Sequence, residues 1–236
     1  IPDQYDNYTL YVETVGNGEI NFMMRDFVLE PENLSFAENL TPLKELYAPY
    51  FDVGSCINNS QVSNKKQIDF FAGQFDIFTH ENELKPESVL DVNASKKLVE
   101  TEGEEAVAVR FTSAKPLLDY CQKNGIKVHG HVLVWHSQTP EAFFHEGYDV
   151  NKPYVSREVM LGRLENYIKN IMAAIKEQYP NLNVYAWDVV NEAVKDSGGM
   201  RDPGSNNEVN GQSAWMKVFG DDSFIDAAFE YARKYA

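Results

Sequence analysis

Cysteine is scarce in this sequence. Only two occur among 236 residues, Cys56 and Cys121. Neither lies in a short, loop-rich, cysteine-dense stretch, which is the setting in which disulfide frameworks form. We therefore predict two buried free thiols, with Cys56 in a strand and Cys121 in a helix, rather than a disulfide between them.

Positively charged side chains are also scarce relative to negatively charged ones. The chain has 21 Lys and Arg against 36 Asp and Glu, which gives a formal net charge of −15. A chain this acidic repels nucleic-acid phosphates and anionic lipid headgroups. The balance argues against nucleic acid and membrane surfaces as partners. It is compatible with a neutral substrate, which needs no steering by charge.

Long apolar runs are absent as well. No stretch of the sequence approaches the length of a transmembrane helix. The first residues do not show a basic region followed by an apolar one, so we expect no signal peptide within this chain. We interpret the chain as one that begins inside a longer protein, so this expectation does not fix the compartment.

Several catalytic motifs are missing. No Ser or Cys lies in a nucleophile elbow, and the sequence has no GxGxxG and no phosphate loop. His129 and His131 form an HxH pair, which is one way to begin a metal site. No second cluster of ligand spacing accompanies them, so we predict no metal. A mechanism based on carboxylates is the chemistry that remains.

What the sequence does have is an alternation of strand and helix patterns. From residue 43 onward the pattern is typical of a parallel sheet with crossover helices. The predicted strands are 51–56, 75–79, 126–134 and 184–190. The predicted helices are 65–72, 114–124 with Ser113 as N-cap, 157–179 with Ser156 as N-cap, and one from about Ser223 to the last residue.

These elements suggest how the chain is divided. Residues 1–30 are predicted to form a β-hairpin around the turn Gly16-Asn17-Gly18, and residues 31–42 a polar linker. Residues 43–236 hold four β/α units, whereas a complete (β/α)8 barrel has eight. The fold class is therefore α/β, either a small four-stranded domain or the first half of a TIM barrel.

The fourth predicted strand ends in an acid. Residues 184–190 are apolar enough to predict a strand buried on both faces, and Asn191 and Glu192 follow it directly. A carboxylate at such a strand end is costly unless it has partners, and catalytic groups of α/β barrels lie there. The alternative is that Glu192 caps the next loop or pairs with a surface cation.

Polar side chains also follow strands two and three. Glu81, Asn82 and Lys85 could hold sugar hydroxyls, although such a charged run is more often a solvated loop. On the third strand, three side chains are predicted to line a cleft, with the indole as a stacking or wall residue; they are His131, Trp135 and Gln138.

Three motifs follow one another along the chain: ENELK at 81–85, GHVLVWHSQTP at 130–140 and WDVVNEA at 187–193. Together they resemble glycoside hydrolase family 10, the endo-β-1,4-xylanases, and the resemblance spans roughly residues 43–236. It implies a TIM (β/α)8 barrel that cleaves xylan or xylo-oligosaccharides with retention and without a cofactor. By this resemblance Glu192 is the general acid/base and Asn191 contacts the sugar beside the scissile bond. The glycone side would be lined by Glu81, Asn82, Lys85, His131, Trp135 and Gln138.

The sequence departs from the family pattern in one respect. The family's nucleophile is a Glu after strand seven in a motif resembling ITELD, and no such motif occurs here. Retaining hydrolysis needs a second carboxylate about 5–5.5 Å from the first. We therefore expect this chain to be inactive without the remainder of the barrel. The resemblance also implies a secreted parent protein.

The N-terminal residues and the function each allow an alternative interpretation. Residues 1–30 weakly resemble the last strands of a family 22 carbohydrate-binding module, the alternative being an N-terminal arm on the barrel. For function, the alternatives are a retaining barrel glycosidase acting on another β-1,4-glycan, such as cellulose or mannan, and a non-catalytic xylan-binding protein.

Overall fold

Four parallel strands form the centre of the fold in the computed structural model, which describes residues 40–206 and 211–236. The strands are β1 (Gly54–Ile57), β2 (Ile77–His80), β3 (Lys127–Trp135) and β4 (Val184–Asn191). They lie in the order β1-β2-β3-β4, and every neighbouring pair is parallel. Sequential order with crossover helices is the topology of a β/α barrel, so the predicted fold class is confirmed. The predicted hairpin of residues 1–30 lies outside the described residues.

Nine α-helices connect and flank these strands in the described part of the chain. They are α1 (Leu43–Tyr47), α2 (Asn59–Ser63), α3 (Lys65–Gln74), α4 (Pro86–Val89), α5 (Val92–Glu102), α6 (Lys115–Asn124), α7 (Arg157–Gln178), α8 (Ala214–Phe219) and α9 (Ser223–Tyr235). Two 3-10 turns, Glu141–Phe144 and Glu146–Tyr148, follow β3. Within residues 40–206 and 211–236, no helix has both the length and the apolar character needed to cross a membrane.

Helix α7 shows why the helical periodicity is informative. Its predicted apolar face is buried along its length and consists of Met160, Leu164, Tyr167, Ile168, Ile171 and Ile175. The Ser156 hydroxyl accepts a hydrogen bond from the backbone N–H of Val159, as an N-cap does. The face packs into the hydrophobic core between the sheet and the helices, so the prediction for this helix is confirmed.

The predicted cap of helix α6 is wrong. The helix begins at Lys115, and Ala114, not Ser113, occupies the N-cap position without a side-chain hydrogen bond. Pro116 lies in the first turn and has no N–H, so one of the donors that a cap would satisfy does not exist. At the other end Gly125 adopts the left-handed conformation with φ 67°, as predicted for a glycine stop.

The two outer strands are less covered than predicted. Within β4 only Val189 is buried, and Tyr185 is 57% exposed, so the prediction of burial on both faces is wrong. Both thiols are free, but only Cys121 is buried, because Cys56 lies in β1 on the opposite face from the core residue Ile57. Among the described residues β1 and β4 each pair with a single strand, which leaves one edge of each uncovered.

An aromatic cluster fixes the helices against the end of β3. The Trp215 ring on α8 meets Phe144 edge-on at 4.9 Å between centroids and stacks on Phe224 of α9 at 5.8 Å. Its indole Nε1 donates a hydrogen bond to the carbonyl of Trp135, the last residue of β3, at 3.1 Å. The core thereby holds the strand end on which the candidate site is built.

A buried arginine holds the segment after β3. The Arg163 guanidinium, fully buried on α7, pairs with the Glu104 carboxylate at 2.6 Å. It also donates to the carbonyls of Phe143 and His145 at 2.6 and 2.9 Å and lies over the Tyr148 ring at 4.0 Å. Arg163 therefore ties the two 3-10 turns to α7.

Replacing Arg163 with Ala should destabilise the protein strongly. The change removes the cation that pairs with the Glu104 carboxylate and the donor to the carbonyl of Phe143, whereas Glu104 and the carbonyl of His145 keep only the backbone N–H groups of Gly147 and Tyr148. We expect the free energy of unfolding to fall by about 3 kcal/mol, near the lower end for a broken buried pair because Glu104 is partly exposed. Urea denaturation measures this loss. Arg110→Ala is the matched control, because Arg110 meets Asp91 at 3.9 Å on the surface. It should cost less than about 1 kcal/mol, and equal losses in the two variants would contradict the assignment.

Candidate active site

The site begins where β3 and β4 end side by side. Trp135 and Asn191, the last residues of these strands, are register partners, and Glu192 follows Asn191. The Trp135 indole Nε1 donates a hydrogen bond to Oε2 of Glu192 at 3.0 Å. Pairing of the strands therefore brings the indole and the carboxylate together at the carboxyl end of the sheet.

Residues that follow β2 join the same cluster. The Lys85 ammonium donates to Oδ1 of Asn82 and to Oε1 of Gln138, each at 2.8 Å. Its Nζ also lies 4.9 Å from the centroid of the Trp135 ring. The ammonium thus links the end of β2 to the segment after β3 and leaves a polar wall beside the indole.

Glu81 lies at the margin of this cluster. Its carboxylate accepts a hydrogen bond from the Asn58 side chain at 2.8 Å, and Asn58 follows β1. Asn191 lies on the other side, where it lines a small cavity with Trp135, Arg201 and other residues. The end of each of the four strands therefore contributes to one polar surface.

A carboxylate that we did not predict holds the two histidines of β3. Asp188 on β4 accepts hydrogen bonds from Nε2 of His129 at 2.9 Å and from Nδ1 of His131 at 2.8 Å. Burial works to raise the pKa of Asp188, but the hydrogen bonds from His131 and His129 outweigh it, and the pKa is lowered. The carboxylate fixes the orientation of His131, whose ring centroid is 6.3 Å from that of Trp135.

The signal for Asp188 was present in the sequence. It lies inside WDVVNEA and opposite His131 in the β3–β4 register, so a parallel pairing of the two motifs would have found it. Both imidazoles are engaged with this single carboxylate. Among residues 40–206 and 211–236, no group of three or more His, Cys, Asp or Glu is arranged to hold a metal ion.

A second residue that we did not predict is Arg201, in the loop after β4. Its Nε donates to the backbone carbonyl of Glu192 at 2.6 Å, and its Nη2 lies 3.8 Å from Oε2 of the same residue. Nothing in the spacing of nine residues indicates this contact. The turn at Gly198 and Gly199 is the one local signal that the chain doubles back here.

His80, the last residue of β2, is buried beneath the site. It is 1% exposed, and its Nε2 contacts the carbonyl of Ala114 at 3.1 Å. A carbonyl only accepts, so Nε2 carries the proton and donates it, and Nδ1 has no partner among the described residues. Burial lowers the pKa of His80 to about 4, against a smaller opposing effect of the hydrogen bond.

Parallel β/α units with a polar cluster at the carboxyl ends of the strands define a β/α-barrel protein. The sequence profile of glycosyl hydrolase family 10 matches residues 42–236. The chain is 40% identical to endo-1,4-beta-xylanase Y of Acetivibrio thermocellus over 98% of its length and 21% of that protein. It is 42% identical to the bifunctional endo-1,4-beta-xylanase XylA of Ruminococcus flavefaciens over 82% of its length and 19% of that protein. The chain belongs to glycosyl hydrolase family 10.

A solved structure of a family 10 xylanase is also similar to this chain. The CBM22-1 and GH10 modules of the Clostridium thermocellum endo-1,4-beta-D-xylanase 10B, complexed with xylohexaose, superpose with a TM-score of 0.77 at 44% identity. The match covers 84% of this chain and 38% of that one. The chain thus spans about a fifth of the length of the two relatives named above and under half of the solved chain.

The buried imidazole of His80 should make stability depend on pH. The unfolded chain takes up a proton on His80 near pH 6.5, whereas the folded protein does so only near pH 4. The folded state therefore loses stability as the pH falls through this window, by about 2 kcal/mol between pH 7.5 and pH 5.

His80→Gln tests this dependence, because glutamine keeps a donor for the Ala114 carbonyl but does not titrate. The free energy of unfolding, from urea titrations at pH 7.5 and pH 5, should fall by about 2 kcal/mol less in the variant than in the wild type. Parallel losses in the two proteins would show that His80 does not carry the effect.

Proposed function

We propose that the protein is an endo-1,4-β-xylanase that cleaves internal bonds of xylan with retention, with Glu192 as general acid/base. The observation that carries the proposal is the Glu192 carboxylate, which lies at the end of β4 with the Trp135 N–H on one of its oxygens. Support comes from relatives named endo-1,4-beta-xylanase and from the family member complexed with xylohexaose.

The hydrogen bond from the Trp135 indole is compatible with Glu192 acting as the proton donor of the reaction. An indole N–H only donates, so Oε2 of Glu192 acts as the acceptor. A protonated Glu192 then carries its proton on Oε1, in an orientation that the indole fixes. In the first step the bond from C1 to the glycosidic oxygen breaks, that oxygen takes the proton, and a second carboxylate bonds to C1. In the second step Glu192 takes a proton from water as the water oxygen bonds to C1, and the bond from C1 to the second carboxylate breaks, which frees that carboxylate for the next cycle.

The surrounding residues are suited to a neutral sugar. An ammonium and two amides, on Lys85, Asn82 and Gln138, supply donors and acceptors for hydroxyl groups beside the flat face of an indole. We assign these residues, together with Glu81 and His131, to the glycone side of the cleft. Asn191 is assigned to the sugar next to the scissile bond. No cofactor and no metal is needed for this chemistry.

The second carboxylate is proposed to come from further β/α units. Glu81 is assigned to binding, and its hydrogen bond to Asn58 directs it toward β1. In the part of the chain that the structure describes, one edge of β1 and one edge of β4 pair with no strand, and each offers backbone donors and acceptors for another parallel strand. The relatives, which are several times longer than this chain, supply enough length for such units. We therefore propose that activity requires the remainder of the barrel.

The remaining assignments concern modules and location. We propose that residues 1–30 end a carbohydrate-binding module of family 22, residues 31–42 form a linker and residues 43–236 form half of the barrel. The alignment with xylanase Y over 98% of the chain, and a solved relative with CBM22-1 and GH10 modules, support this division.

We propose a secreted protein, because xylan is a polymer outside the cell. A 31% identical relative is described as intracellular, so fractionation of the native protein is the test.

An activity assay with and without the missing half tests the proposal. The 236-residue chain alone should not release reducing ends from xylan above background, because one carboxylate cannot complete retaining hydrolysis. Extending the gene, or adding a family 10 second half as a separate chain, should restore cleavage. In the restored protein Glu192→Gln should lower the rate on xylan by several orders of magnitude.

Three outcomes would contradict the proposal. Cleavage of xylan by the purified chain alone, lost in Glu192→Gln, would show that the second carboxylate is already present. Cleavage of cellulose or mannan but not xylan by the restored protein would assign another β-1,4-glycan as substrate. Binding of xylan without any cleavage would support the non-catalytic alternative. Glu177→Gln is the control, because Glu177 is an exposed acid in the last turn of α7, just before β4 begins and so at the opposite end of that strand from Glu192, and its loss should leave the rate unchanged.

A further inference from the structure

We propose that Arg201 is the positioning residue for Glu192, holding the backbone and the carboxylate of the acid/base in the orientation that delivers its proton. The inference rests on the proposed function and adds a residue to it. Three observations support it: the path of the chain between the two residues, the contacts of the guanidinium, and the backbone conformation of Glu192.

A tight hairpin returns Arg201 to Glu192. Val194 and Met200 form an antiparallel bridge, and the N–H of Lys195 donates to the carbonyl of Gly199 at 2.9 Å. The N–H of Arg201 then donates to the carbonyl of Ala193, the residue after Glu192, at 3.1 Å. The hairpin therefore brings the start of the Arg201 side chain next to the strand end.

The guanidinium contacts Glu192 at two points. Nε donates to its backbone carbonyl at 2.6 Å, and Nη2 lies 3.8 Å from Oε2, the oxygen that also receives the Trp135 N–H. On the far side Nη1 donates to the carbonyl of Gly211 at 3.3 Å. The Arg201 side chain is only 14% exposed, so water does not substitute easily for these contacts.

Glu192 needs such support because its backbone is in an unfavourable region. Its φ is 49°, in the left-handed region that costs free energy for any residue with a side chain. Such a conformation persists when the surrounding structure holds it. The hydrogen bond from Arg201 to the Glu192 carbonyl supplies that restraint directly at the strained residue.

The planar geometry of the guanidinium contributes to the positioning of Glu192 as well as its charge. Three nitrogens in fixed geometry reach two carbonyls and one carboxylate at once, which a lysine ammonium on a flexible stem cannot reproduce. Without the guanidinium of Arg201, Glu192 can move away from the glycosidic oxygen. A shift of about 1 Å at a catalytic group can lower the rate about 100-fold.

The positioning of a general acid can be measured by comparing substrates whose leaving groups differ in their need for a proton. The bond to an alcohol leaving group, as in xylan, breaks only with a proton delivered to the oxygen. A 2,4-dinitrophenolate group leaves without one, because its negative charge is already stabilised. In both cases kcat/KM reports the steps up to the first bond cleavage, so comparing the two substrates isolates proton delivery.

The test measures kcat/KM of Arg201→Ala on xylan and on 2,4-dinitrophenyl β-xylobioside, in the protein whose activity was restored with the rest of the barrel. We expect a loss of about 10- to 100-fold on xylan and of less than about 3-fold on the dinitrophenyl substrate. Arg201→Lys should recover only a small part of the loss on xylan. The ratio of the two values is independent of the fraction of protein that folds, so partial misfolding cannot imitate the result.

Two reference variants complete the design. Glu192→Ala should show the same selective loss in a larger form. Lys195→Ala removes a cation from the same hairpin, where it pairs with Asp202 at 3.0 Å, and should change neither value. Equal losses on both substrates in Arg201→Ala, or no loss on either, would overturn the role of Arg201 while leaving the xylanase proposal intact. A wild-type protein that cleaves neither substrate would overturn both.

Discussion

The pairing of β3 with β4 is the constraint on which the site depends. Two register pairs, His131 with Asp188 and Trp135 with Asn191, place one histidine on a carboxylate and the indole beside Glu192. Because side chains alternate along a strand, a slip of one residue would turn both contacts to the other face of the sheet. The chemistry of the cleft is in this sense a consequence of backbone register.

The loops after these strands are held from outside the cleft. The carbonyl of Trp135 accepts hydrogen bonds from Thr139 at 2.8 Å and from the Trp215 indole at 3.1 Å. Farther along, the Glu141 carboxylate accepts from the Tyr154 hydroxyl and from the backbone N–H of Asn206 at 2.9 Å. These contacts connect the segment after β3 to the segment after β4, so Trp135 and Glu192 are supported by a shared framework.

The sequence was informative wherever the signal is local. Hydrophobic periodicity predicted α7, and the positions of polar groups after apolar runs indicated Glu192 and the group around Lys85. Contacts that depend on tertiary structure could not be predicted from the sequence. Arg201 reaches Glu192 only through the hairpin between them, and the exposure of Tyr185 depends on how far the packed helices cover the face of β4. Ser113 satisfies the usual cap rule, yet Pro116 removes a donor that the rule assumes.

The central claim is that Trp135 and Glu192 act as one hydrogen-bonded unit, and NMR of the indole N–H tests it most directly. The Nε1–H resonance, assigned by its loss in Trp135→Phe, is followed in ¹⁵N-labelled protein as the pH is varied. We predict that the resonance moves as Glu192 changes its ionisation and that this movement disappears in Glu192→Ala. A resonance that shows the same pH response with and without Glu192 would contradict the account.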